Sequence, residues 1–130
     1  MKNLIPAICV LAVLVGGCAS TESIKDSKGQ GISRVYPYPL EAVFNAAGAA
    51  AKAKELEVVE SDRNSGTLTL SHGVTLLSWG ERIAVFIKPV TSKSTEVEIV
   101  SKPVLAPLNF PPDWQQILLD EIDARLRSGK

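Results

Sequence analysis

The side chains able to do covalent or acid–base chemistry are few, and their spacing does not gather them. Two thiols, Cys9 and Cys18, both fall within the first 18 positions of a 130-residue chain. The remainder has no cysteine, so no disulfide framework can staple it. His72 is the single histidine. A zinc site built on it would need carboxylates close in sequence, and none is near; a strand-end or turn position is its ordinary use. Glu57, Glu60 and Asp62 could pair as general acid and base. However, Glu57 falls on the solvent side of a candidate strand, and Asp62 suits a turn closed on its own backbone. Glu96 and Glu98 stand two apart on one strand face, the pattern of a solvated outer surface. No Gly-x-Ser-x-Gly elbow, glycine-rich phosphate loop or His-Glu-x-x-His motif occurs. The expectation is a chain with no catalytic residues, no metal ligands and no cofactor, and therefore not an enzyme.

Cys18 differs because of what precedes it. Lys2 leads into an apolar run from Leu4 to Val15, followed by Gly16, Gly17 and Cys18. Positive, apolar and small residues in that order make a secretory signal. As a helix the 12-residue run reaches only about 18 Å, short of the roughly 30 Å hydrocarbon core. Val15-Gly16-Gly17-Cys18 resembles the lipobox of bacterial lipoprotein signal peptides. That resemblance implies diacylglycerol on the Cys18 sulfur, cleavage between Gly17 and Cys18, and acylation of the new amino terminus, typically with palmitate. Two or more acyl chains give lasting membrane residence, at about 0.8 kcal/mol per buried methylene. Cys9 would leave with the signal peptide. Ala19 follows the cysteine where an aspartate does not, and that resembles the pattern routed to the outer membrane, facing the periplasm. The alternative is the outer leaflet of the cytoplasmic membrane.

The chain then divides into a signal peptide (1–17), a lipidated cysteine with a flexible tether (18–31) and one domain (32–130). Ala19 to Gly31 is polar and rich in Ser, Lys and Gly, too poor in apolar surface to offset its ordering entropy. Thirteen such residues span roughly 20 Å as coil, or about 45 Å extended. Lys plus Arg equal Asp plus Glu at 14 each, and no basic stripe is present, so nucleic acid is not an expected partner.

Within the domain, Ile32 to Val35 is a short strand ended by Tyr36-Pro37-Tyr38-Pro39. Leu40, Val43, Phe44, Ala47 and Ala51 recur at helical spacing, which predicts a helix from about Pro39 to Lys54. Strands follow at 56–61, 67–71, 82–88 and 95–101, the first two joined by the turn Asp62-Arg63-Asn64-Ser65-Gly66. Asp113 with Gln116 three residues later starts a final helix carrying Trp114, Ile117, Leu118, Ile122 and Leu126. The order β-α-β-β-β-β-α predicts an α+β domain, after the amino-terminal signal helix, with a mainly antiparallel sheet and both helices packed on one face.

Leu40-Glu41-Ala42-Val43-Phe44-Asn45-Ala46-Ala47 and Val58 to Leu68 make the chain similar to small bacterial lipoproteins with uncharacterised domains. In layout the domain resembles the helix-grip domains of accessory lipoproteins in outer-membrane β-barrel assembly. Two apolar stretches, 73–80 and 104–114, either close over the sheet as core or leave a contact surface of Trp79, Leu108 and Phe110. The functional expectation is a membrane-anchored, non-enzymatic envelope lipoprotein that acts through an envelope protein partner. The alternative is a module binding a small ligand or a lipid.

Overall fold

The computed structural model describes residues 24–75, 80–105 and 111–129. The elements are β1 (Ile32–Tyr36), α1 (Leu40–Ala53), β2 (Glu57–Asp62), β3 (Thr67–His72), β4 (Glu81–Thr91), β5 (Ser94–Pro103) and α2 (Trp114–Ser128). This is the expected β-α-β-β-β-β-α order. The strands form one five-stranded antiparallel sheet in the order β1-β5-β4-β3-β2, so the first strand closes against the last.

Both helices lie on one face of that sheet. Leu68 and Leu70 of β3, Ile83, Val85 and Ile87 of β4, and Val97 and Ile99 of β5 point to them with the period of two that strands impose. Val43, Phe44, Ala47, Ala50 and Ala51 of α1 meet these, together with Trp114, Leu118, Leu119, Ile122 and Leu126 of α2. The alanines let α1 approach closely. Tyr36, 1% exposed, donates its hydroxyl to the Leu119 carbonyl at 2.6 Å, tying β1 to α2.

Local chemistry fixes the boundaries. Asp113 accepts from the Gln116 backbone N–H at 3.2 Å, so the expected cap is present. Asp62 accepts from Asn64 and Ser65 N–H and closes the β2–β3 turn, and these bonds, with that of Ser65 first, hold its carboxyl below the usual carboxylate range. Gly66 completes that turn at φ +70, and a Cβ there would run into the Ile87 carbonyl oxygen. Helix α1 ends at Ala53 with Lys54 as its cap, within a residue of the expected end, but the form of the cap was not foreseen. Leu56 N–H bonds to Ala51 O and Glu55 N–H to Lys52 O, the paired bonds of a Schellman motif, but the left-handed position holds Glu55 (φ 59) instead of glycine.

The segment expected to be a free tether is corrected in its second half. Residues 24–31 make a turn that lies across the face of the sheet opposite the helices. Ile24 is 0% exposed and packs on Ala84, Phe86 and Val100. The reason is a small apolar island on the outer face, formed by those three residues, which one isoleucine is enough to cover. Glu98 is corrected with it: expected on a solvated surface, it is 8% exposed beneath this segment.

Candidate functional site

Two regions of the described structure gather unusual side chains. The first is the end of the sheet where β3 stops, β4 starts, β5 stops and α2 starts. His72 pairs in register with Glu81, and Glu81 with Pro103. The Val104 N–H bonds to the Gly80 carbonyl at 2.9 Å. Residues 73 and 80 of one loop and 104 of the other therefore leave the sheet at the same end, side by side. Val74 is 69% exposed and Leu105 46% exposed on the described parts of those loops.

At the root of the loops His72 Nδ1 lies 2.6 Å from Glu81 Oε2, and Glu81 is fully buried. The His72 ring is tilted against Trp114 at 4.8 Å between centroids. Trp114 Nε1 is buried without a hydrogen-bond acceptor among the described residues. One hydrogen bond and one aromatic contact thus clamp β3, β4 and α2 together where the two loops depart. The histidine is at a strand end, as expected, but its carboxylate partner comes from nine residues away across a hairpin. Spacing alone hides that pairing, because antiparallel register determines it. The arrangement can hold two loops in a fixed relation; among the described residues no group of His, Cys, Asp and Glu is placed to hold a metal.

The second region is the outer face of the sheet. Glu98 accepts the Gly29 N–H with both carboxylate oxygens, at 2.9 and 2.7 Å, and the Gly31 N–H at 3.0 Å. Charge-assisted bonds of this kind exceed neutral ones in strength. Gly31 passes so close to β5 that a Cβ would meet the Ile99 carbonyl oxygen. Lys25 reaches Glu60 at 2.6 Å, and Lys28 stands 5.9 Å from the Phe86 ring centre. The segment is therefore fastened along its length to β2, β4 and β5.

An apolar groove of about 510 Å³ also runs between the helices on their outer side, lined by Tyr38, Ala42, Ala46, Ala49 and Leu126 with Arg125 at its rim. It is open to solvent, and two of its lining residues, Ala46 and Leu126, also belong to the core.

Among the expected site residues, Gly17, Cys18, Trp79, Leu108 and Phe110 lie outside the described residues. No described helix is long and apolar enough to cross a membrane. Glu57, Glu60 and Asp62 are not brought together as an acid–base pair: Glu60 bonds to Lys25 and Asp62 to its own turn.

No family model matches the sequence, and no curated protein matches it. Among solved structures the chain is similar to the crystal structure of Ara h 8.0201, at 12% identity and a TM-score of 0.49, over 75% of this chain and 95% of that one. It is also similar to the di-domain ARO/CYC BexL from the BE-7585A biosynthetic pathway, at 11% identity and a TM-score of 0.44, over 75% of this chain and 42% of that one. Neither likeness carries an argument about what this chain does.

Proposed function

We propose that this protein is a lipid-anchored envelope lipoprotein, held at the outer membrane through Cys18 and facing the periplasm, that works by protein contact and not by catalysis. The anchor rests on the Val15-Gly16-Gly17-Cys18 sequence. The contact role rests on one observation: the two apolar loops of the sequence leave the same end of the sheet, beside each other, with Val74 and Leu105 exposed. Isolated exposed apolar residues are ordinary, but two adjacent loops presenting them make a surface. The His72–Glu81 pair and Trp114 give that surface a rigid base, and rigid scaffolds under loops are where binding residues concentrate.

The test is photocrosslinking in intact cells, with a crosslinkable residue at Val74 or Leu105 and a control at Ala124 on the exposed side of α2. A reproducible envelope protein captured from the two loop positions and not from Ala124 supports the reading. Equal capture from all three positions refutes it. The groove between the helices supports a second reading, a module for an apolar ligand. Binding of a long-chain fatty acid that Ala46→Trp abolishes would favour that one.

A further inference from the structure

We propose that the outer face of the sheet, the one crossed by residues 24–31, is the face this protein turns toward the lipid surface, an inference that rests on Cys18 being the lipid anchor. The argument is one of length. If the chain were free up to β1, an anchor at Cys18 would leave the domain able to present any side to the bilayer. The structure removes that freedom. Ile24 is fastened over Ala84, Phe86 and Val100, near the middle of the outer face, and Lys25 and Gly29 hold the segment on either side of it. Only six peptide links then separate Ile24 from Cys18. Fully extended they reach about 20 Å.

That reach can be compared with the path around the domain. From a position above β4 and β5 the nearer sheet edge lies about 7 Å away, strands being about 4.8 Å apart. Helices sit about 10 Å from a sheet and are about 10 Å thick with their side chains. Carrying the anchor from Ile24 around that edge to the far side of α1 and α2 therefore needs on the order of 30 Å. The link is too short for it. With the acyl chains in the bilayer, the helix face cannot rest on the lipid, and of the two faces of the domain it is the outer one that lies toward it.

The side chains on that face fit a polar headgroup layer. Val35 is 55% exposed next to exposed Ser33, Glu96 separates it from exposed Lys88, and Lys28 lies exposed over Phe86. Lysines with an apolar stem suit an interface, where the stem is sheltered and the charge stays in water. The loop end that carries Val74 and Leu105 is then at the side of the molecule, open to a neighbour anchored in the same membrane.

The experiment uses the full, cell-processed protein reconstituted in phosphatidylethanolamine/phosphatidylglycerol vesicles that contain a headgroup spin-labelled lipid. Single fluorophores are placed through V35C or K88C on the outer face, and through K52C or A124C on the helices. Quenching at least twofold stronger at positions 35 and 88 than at 52 and 124 is expected. Equal quenching, or stronger quenching at the helices, overturns the orientation. Intact mass separates this from failure of the anchor: a Cys18 without acyl groups overturns both readings, whereas an acylated Cys18 with equal quenching overturns the orientation alone. Inserting 12 Gly/Ser residues between Ser20 and Thr21 should bring the four positions to a common value. A bias that survives the insertion overturns the short link as its cause.

Discussion

Replacing Ile24 by serine tests whether residues 24–31 belong to the fold. The side chain is fully enclosed by Ala84, Phe86 and Val100. Removing an enclosed isoleucine loses about 1.5–3 kcal/mol of burial, and a hydroxyl left without a partner there adds about 1 kcal/mol or more. The expected loss is about 2–4 kcal/mol of segment docking. The segment can lift off without unfolding the sheet, so part of that loss is local and does not register in global unfolding. Two readouts are therefore needed. Urea unfolding followed by tryptophan fluorescence reports the global part. Hydrogen exchange at Gly29 and Gly31, whose amides both bond to Glu98, reports the local part. A docking loss of 2 kcal/mol should speed exchange there by about 30-fold, each 1.4 kcal/mol being tenfold. Val74→Ser, at a position 69% exposed, is the control and should shift neither readout by more than about 0.5 kcal/mol. If Ile24→Ser matches that control in both assays, the segment is a tether after all and the orientation proposed for the sheet falls with it.

Further substitutions probe the backbone and the core. Gly66→Ala should cost at least about 2 kcal/mol in thermal unfolding, because φ +70 strains an L side chain and the new Cβ meets the Ile87 carbonyl. Glu55→Gly should do the reverse, raising stability by about 0.5–1 kcal/mol, since it relieves the left-handed cap of α1 without touching its hydrogen bonds. Burial pushes the Tyr36 phenol up from 10.0 to about 12. The folded state thus holds its proton more tightly than the unfolded one, and the stabilisation is complete below pH 10 and lost as pH rises through about 12. Tyr36→Phe should flatten that alkaline decline in a pH series of melting temperatures. It should also cost about 0.5–1.5 kcal/mol at neutral pH from the lost bond to Leu119.

The repeating elements could be read from the sequence because each carries its own period. Ile83, Val85 and Ile87 alternate as a half-buried strand must, and Leu118, Ile122 and Leu126 recur as a helix face must. Asp113 and Gln116 likewise mark a helix start through one local bond. What escaped detection was non-local. Ile24 is a lone apolar residue in a polar stretch, and its burial depends on an apolar island made by β4 and β5 about 60 to 76 positions later. Glu98 alternates with Val97 and Ile99 and so belongs to the outer face, as expected, but that face has a second layer on it. The pairing of His72 with Glu81 required the register of the β3–β4 hairpin, which no spacing rule supplies across an eight-residue connection. Glu55 sits where glycine is the usual signal, so the end of α1 was placed only to within a residue.

The antiparallel pairing of β1 with β5 joins Ile32 to Ile99, 67 residues apart. Such a contact forms late, since the loop it closes includes most of the domain. The clasp at residues 24–31 also waits for β5, because Ile24 has nothing to cover until Phe86 of β4 and Val100 of β5 stand next to each other. During synthesis the segment that starts at Ile24 therefore stays undocked until the last strand has arrived. If Cys18 is lipidated as proposed, the modifying enzyme has that whole interval to work in. Once the sheet closes, Ile24 is drawn against it, so on the proposed reading of Cys18 folding sets the order in which lipidation and docking occur.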